Sequence, residues 1–169
     1  HLEAFASVLG TREVLVASIT QANAQGLIDH ARALGLQADY APDANAALAE
    51  CPLVVTCTTA QQAVLHTPPR ADAFVAAIGA FTPQMTELSP AFCQHVDQHG
   101  RIVVDTPDAA HEAGDLLQAG LDIARYPTLR DVVCQSAATQ KDKPVLFKSC
   151  GWAGWDLAAA RTAYRLSAT

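Results

Sequence analysis

Gly79 closes an apolar run, Phe74-Val75-Ala76-Ala77-Ile78, and opens a short proline-bearing loop that ends in Thr86-Glu87-Leu88. Such a run reads as a buried parallel strand, and a glycine at its C-terminal end lets the backbone approach something closely. In open α/β sheets that end is where ligands sit. Two further candidate strands finish in hydroxyl side chains: one runs into Thr56, Thr58 and Thr59, another into Ser18-Ile19-Thr20. Strand-end hydroxyls can meet a ligand. Equally, the threonines can be a β-branched strand end with satisfied hydroxyls, and Ser18 and Thr20 can cap the helix that follows. Asp105 also ends a strand, as a turn cap or a ribose contact, the cap being favoured.

Other chemistries find less support. His95 and His99 have a metal-capable helical spacing, but Gly100 ends the segment and no third ligand is evident, so a surface pair is favoured and no metal is expected. No serine sits in a G-x-S-x-G elbow, which leaves hydrolysis unsupported. The five cysteines (51, 57, 93, 134 and 150) form no C-x-x-C. They read as reduced, mostly buried thiols of a cytoplasmic protein.

With 11 basic and 17 acidic residues the net charge is −6, which argues against nucleic acid or an anionic membrane surface as partner. No apolar stretch approaches the ~20 residues of a membrane span, and no signal peptide is visible. A length of 169 residues, half of them hydrophobic, suits one domain or one domain with appendages and provides for a sizeable core.

The elements that position these residues alternate. His1 to Leu9 reads as a helix with Leu2, Phe5, Ala6 and Leu9 on one face and Gly10 as its C-cap. A strand at 13–18 follows, then a helix at 21–34 with Leu27, Ile28, Ala31 and Leu34 on one side. Next come a short strand at 36–40, a helix capped by Asp43 and running to Cys51, and strands at 52–59 and 74–78. Ser89-Pro90 starts a helix through His95, and a strand at 101–105 precedes a helix capped by Thr106 or Asp108. Residues 116–138 read as loops and short helices, 143–149 as a strand, and 151–166 as a final helix. There, Trp152 and Trp155 are expected to pack in a core or an interface. This order indicates a parallel, doubly wound sheet.

A dinucleotide fold normally opens with a strand, G-x-G-x-x-G and a helix. Here a helix and the next strand are present, and no G-x-G-x-x-G occurs. Five stretches in order nonetheless resemble the ornithine cyclodeaminase/mu-crystallin family. They are the opening His1-Leu2-Glu3-Ala4-Phe5; Leu53 to Thr59, ending in T-x-T; Ala76 to Ala80 with Thr86-Glu87-Leu88; Glu112-Ala113-Gly114-Asp115-Leu116; and Phe147-Lys148-Ser149-Cys150-Gly151 with Asp156-Leu157-Ala158-Ala159-Ala160. The resemblance implies an α/β fold: a Rossmann-like doubly wound parallel sheet, a fragment lacking its first strand and glycine-rich loop, with a C-terminal helix belonging to a second domain. Residues 1–138 would be a partial NAD(P)-binding domain, and 139–169 the return segment to a substrate and dimerisation domain. A missing first strand should interrupt the sheet, and the fragment by itself should be inactive.

The resemblance further implies a homodimer and an NAD(P)H cofactor held by Ser18, Thr20, Thr56, Thr58, Thr59, Ala77, Ile78, Gly79 and Ser149. Ala77, Ile78 and Gly79 flank the nicotinamide, Phe81 and Cys150 face the substrate, and no catalytic side chain is assigned. With Ser18 and Thr20, and no acid, where the adenine ribose is read, the balance tilts towards NADPH. Lys148 is expected to be a solvated partner rather than a catalytic base. Cyclodeaminases of the family carry an Asp and a Lys where this chain has Phe81 and Met85, a pair that cannot move a proton. The resemblance is thus to the ketimine reductase branch. Those enzymes reduce cyclic imino acids, pyrroline-2-carboxylate or piperideine-2-carboxylate, to proline or pipecolate. Ornithine cyclodeaminase and a non-catalytic mu-crystallin-like binding protein are the alternatives.

Overall fold

The structure, a computed structural model, describes residues 1–135 and 142–167. The chain forms two compact units, His1–Pro52 and Leu53–Thr169.

In the first unit, helix α1 (Leu2–Ala4) runs on into a π-helical turn, Phe5–Leu9. Gly10 ends it at φ 71°, a left-handed conformation that disfavours a side chain. Strand β1 (Glu13–Ala17), helix α2 (Gln21–Ala33), strand β2 (Gln37–Ala41) and helix α3 (Ala44–Glu50) follow. The two strands pair in parallel, from Glu13 with Gln37 to Ala17 with Ala41. Asp43 caps α3, its carboxylate accepting from the amides of Asn45 and Ala46 at 2.8 and 3.3 Å. The core consists of Val16, Ala24, Ile28, Ala31, Leu36 and Ala38. Its α2 stripe is therefore Ala24-Ile28-Ala31, not the expected face with Leu27 and Leu34, which are 46% and 44% exposed. Small residues at i and i+7 let the helix lie close to the two strands, and the bulkier leucines fall to either side of that contact.

The second unit holds β3 (Leu53–Thr56), β4 (Phe74–Ala77), α4 (Pro90–His99), β5 (Arg101–Val104), α5 (Ala109–Glu112) and α6 (Gly114–Gln118). A 3₁₀ turn (Ile123–Arg125), α7 (Leu129–Gln135), β6 (Val145–Lys148) and α8 (Ala153–Ser167) complete it. The sheet order is β3-β4-β6-β5, with every pairing parallel. The last strand thus inserts between β4 and β5. Val75 of β4 and Leu146 of β6 are fully buried, as strands covered on both faces require. Ser89 caps α4 by accepting from the Phe92 amide at 3.2 Å. The helix continues to His99, beyond the expected end, and buries Phe92, Cys93 and Val96.

Among the described residues, β1 is bonded to β2 only and β3 to β4 only, so both are edge strands of separate sheets. Two expectations are corrected, those for Asp108 and for the cysteines. Asp108 precedes α5 but its side chain makes no capping bond, because the turn closes through backbone contacts such as Ala109 N–H to the Thr106 carbonyl. Of the two places expected for Trp152 and Trp155, the core of this chain is not the one taken: they are 52% and 38% exposed and packed edge-to-face at 6.4 Å, and α8 buries no residue. Of the five cysteines only Cys93 is buried, whereas Cys57 and Cys134 are exposed. The proposed boundary at 138/139 lies outside the described residues, as does the end of the 116–138 segment.

Candidate functional site

Register brings the second-unit candidates to one edge. The last paired residues of the four strands form a single row, Thr56, Ala77, Lys148 and Val104. Beyond it stand Ile78 after β4, Ser149 after β6 and Asp105 after β5. The backbone ladder extends one step further, with Ile78 N–H donating to Thr56 O, Ser149 N–H to Ala77 O and Asp105 N–H to Lys148 O. Thr58, Thr59, Gly79, Phe81 and Cys150 follow on the connecting loops. Thr58, Thr59 and Phe81 are exposed, and Ile78, Gly79 and Cys150 half-buried. Ser18 and Thr20 lie in the first unit, just past the end of β1. There Thr20 caps α2 by accepting from the Asn23 amide at 3.2 Å, while Ser18 is exposed and its carbonyl accepts from Tyr40 Oη at 3.5 Å.

Three buried carboxylates hold this edge together. Glu87 is fully buried and accepts on both oxygens. Its Oε1 takes the Thr58 amide; its Oε2 takes the Thr56 hydroxyl at 2.8 Å and the amides of Gly79 and Ala80 at 2.8 and 3.3 Å. One side chain therefore joins the loops that leave β3 and β4. Asp115, in the first turn of α6, is also fully buried. Its Oδ1 accepts from the Thr86 hydroxyl and from the amides of Glu87 and Leu88 at 3.1, 2.6 and 2.8 Å. It thereby fixes the backbone that carries Glu87. Lys148 closes the circuit: fully buried, its Nζ donates to the Ala80 carbonyl and pairs with Asp115 Oδ2 at 2.8 Å. Lys148 is thereby the partner of that oxygen.

Asp105 organises the third loop. Its Oδ2 accepts from the Ser149 hydroxyl at 3.0 Å and from the amides of Cys150 and Gly151 at 2.6 and 2.8 Å, and its Oδ1 from the Thr106 amide at 2.7 Å. The cap reading of Asp105 is thus the one realised. Burial pushes the Cys150 thiol up to about 12, with Asp105, Glu112 and Asp115 adding to the rise against the opposing charge of Lys148. At neutral pH it is a neutral thiol and no nucleophile.

The close approach foreseen at Gly79 is to protein. A Cβ there would lie 2.2 Å from Thr58 O, 2.3 Å from Thr58 N and 2.4 Å from Glu87 Oε1. The expectation that Lys148 is solvated is overturned, because a strand flanked on both sides buries the side chain and Asp115 compensates its charge. Glu87 and Asp115 were not singled out as functional. Their signal was present in the sequence, as acids enclosed by apolar residues in Thr86-Glu87-Leu88 and Gly114-Asp115-Leu116.

The arrangement is a strand-end platform with exposed Thr58 and Thr59, a half-buried Ile78, and Gly79 packed against the Thr58 backbone. Its buried acids, Glu87, Asp105 and Asp115, are all taken up as hydrogen-bond acceptors within the protein. Among the described residues no group of three or more His, Cys, Asp or Glu side chains could hold a metal ion. His95 and His99 on α4 lie with their ring centroids 4.6 Å apart, tilted at 51° to each other. Also among the described residues, no helix is long and apolar enough to cross a membrane.

Residues 1–168 match the Ornithine cyclodeaminase/mu-crystallin family. The chain belongs to this family. It is 40% identical over 129 residues to Delta(1)-pyrroline-2-carboxylate reductase 2 of Burkholderia ambifaria, covering 76% of this chain and 38% of that protein. It is 38% identical over 133 residues to Delta(1)-pyrroline-2-carboxylate/Delta(1)-piperideine-2-carboxylate reductase of Azospirillum brasilense, covering 78% of this chain and 39% of that protein. In solved structures, it superposes on Delta(1)-pyrroline-2-carboxylate reductase of Thermococcus litoralis, in complex with NADH and L-proline, with a TM-score of 0.86 and 22% identity. That match covers 97% of this chain and 53% of the other, and it shows the family's α/β fold. The chain thus spans about half or less of the length of the relatives it matches.

Proposed function

We propose that the protein carrying this chain reduces a cyclic ketimine, pyrroline-2-carboxylate or piperideine-2-carboxylate, to proline or pipecolate with NAD(P)H. The residues present suit the nicotinamide end of such a cofactor: short hydroxyls at Thr58 and Thr59 and an apolar contact at Ile78. Ala77 and Ser149 complete the strand ends on either side. When bound, the cofactor would supply the hydride, which goes to the carbon of the substrate's protonated (iminium) form, so that the proton already on nitrogen stays in the secondary amine. The chain's own part is to hold ring and imine in contact and keep water out, with Phe81 and Cys150 on the substrate side.

The observation that carries this reading is the apolar pair beside the platform, Phe81 and Met85, with the acids there taken up in internal hydrogen bonds. Phe81 is 52% exposed there, Met85 follows, and Glu87, Asp105 and Asp115 are each held by two or more donors. Cyclodeamination needs a side chain that moves a proton; hydride transfer from a cofactor does not. The names of the reductase relatives support the same choice. Purified whole protein given pyrroline-2-carboxylate should oxidise NADH or NADPH and yield proline. Release of proline and ammonia from ornithine, without net cofactor consumption, would replace this reading with cyclodeamination. Cofactor binding with no turnover of either substrate would replace it with a mu-crystallin-like binding role.

We infer further that NADPH is somewhat preferred, since Ser18 is exposed past the end of β1 and no acid stands there to repel a 2′-phosphate. By family resemblance the whole protein is a cytoplasmic homodimer, residues 1–138 bind cofactor, and 139–169 return to the substrate and dimerisation domain. The exposed apolar side chains of α8 suit that last role.

A further inference from the structure

We propose that Glu87 sets the redox-state preference of the bound nicotinamide by acting as an uncompensated buried negative charge beneath it. This rests on the reading that Thr58 and residues 77–79 meet the ring. Both Glu87 oxygens face donors, and three of the four are backbone amides that can only donate. An acceptor-only arrangement of that kind suits the ionised carboxylate. Its partners are all neutral. The cation of this edge, Lys148, is taken up by Asp115 at 2.8 Å, and Asp105 adds a further carboxylate held by neutral donors. Among the described residues three buried carboxylates thus share one buried ammonium, and burial holds the nearby Cys57, Cys93 and Cys150 as neutral thiols.

The charge is one hydrogen bond away from the peptides of Thr58, Gly79 and Ala80. Oxidised nicotinamide is a cation and reduced nicotinamide is neutral. A fixed anion under the ring therefore favours the oxidised form, and it favours the positive charge that grows on the ring as hydride leaves for the imine. The two functions of Glu87 separate by charge. Its hydrogen bonds position the loops for either redox form, whereas its charge distinguishes the two forms.

The test measures dissociation constants of NAD⁺ and NADH (or the phosphorylated pair) for the whole protein and its variants, by ligand fluorescence and calorimetry. Glu87→Gln should raise the ratio Kd(NAD⁺)/Kd(NADH) by about tenfold, the size expected of one unit charge at close range in a partly polar interior. Thr56→Val removes a Glu87 hydrogen bond but keeps the charge, so it should weaken both forms alike; Glu87→Asp should keep the ratio of the unmodified protein. A ratio that Glu87→Gln leaves unchanged overturns the proposal. Should Glu87→Gln fail to fold, the unmodified protein decides: it should bind the oxidised form more tightly than the reduced one, and the opposite order overturns the proposal. If the unmodified protein binds neither form, the dinucleotide reading itself fails and takes this inference with it.

Discussion

Glycines of this chain have different reasons to be glycine, and the difference is measurable. At Gly79 an added methyl would press into the Thr58 backbone and the Glu87 carboxylate, at 2.2 to 2.4 Å. Neither group can move without breaking the hydrogen bonds of the strand-end platform. Gly79→Ala should therefore destabilise the protein by about 2–3 kcal/mol, as overpacking of a well-filled site does, and weaken cofactor binding. Gly26, exposed on helix α2, has nothing within 4 Å of the same methyl. Gly26→Ala should stabilise by about 0.5–1 kcal/mol through helix propensity. Denaturant unfolding of the two variants checks both signs. At this scale the sequence already marked Gly79 as a close approach, since a glycine ending an apolar strand has few other uses. It did not identify what approaches, because Thr58 and Glu87 are brought there by strand pairing and by the returning loop.

Between elements, polar contacts lock helices and turns to their neighbours, and one of them makes stability sensitive to acid. Asp97 on α4 accepts from Tyr126 Oη at 2.7 Å and from Arg125 at the end of the 3₁₀ turn. Burial alone would raise its carboxyl, but the hydrogen bonds from Tyr126 and Arg125 and the Arg125 charge outweigh that and hold it below the ordinary 3.8. A carboxyl depressed by folding contributes stability that is complete above its ordinary value and is lost as pH falls through the folded value. Acid titration of the unfolding midpoint should show that loss below about pH 4, and Asp97→Asn should reduce the slope there while leaving the neutral-pH side flat. None of these partners was legible in the chain order. Helix α4 was expected from its Ser-Pro cap and apolar stripe, but its cross-link to residues 125 and 126 depends on how the later segment folds back.

For the molecule as a whole, two units with separate cores imply unequal local stability. The first unit rests on a two-stranded sheet and a core in which Ala24, Ala31 and Ala38 stand beside three larger residues. In the second, β4 and β6 each lie between two strands and bury Val75, Ala76, Ala77, Leu146 and Lys148. Native-state hydrogen exchange should be slowest at the β4 and β6 amides and faster in β1 and β2, whose edges and small core open at lower cost. Equal protection across both sheets would contradict that ranking. The parallel class was readable beforehand from the alternation of strands and helices, which leaves few other connections open.

What the sequence determined unaided is what local chemistry controls: where most strands and helices lie, that Asp43 caps α3 and Ser89-Pro90 starts α4, and that hydroxyl and acidic side chains fall at strand C-termini. Apolar periodicity and capping act within a few residues, so they survive without knowledge of the partners. Only the tertiary structure decided the rest. It set β6 between β4 and β5, chose Ala24-Ile28-Ala31 as the buried stripe of α2, and turned Glu87, Asp115 and Lys148 into one network. Those outcomes join positions far apart in the chain: Lys148 reaches Ala80 across 68 residues and Asp105 reaches Ser149 across 44. A charge is tolerated in a core only when its partners arrive with it, and local sequence does not record which distant segment brings them.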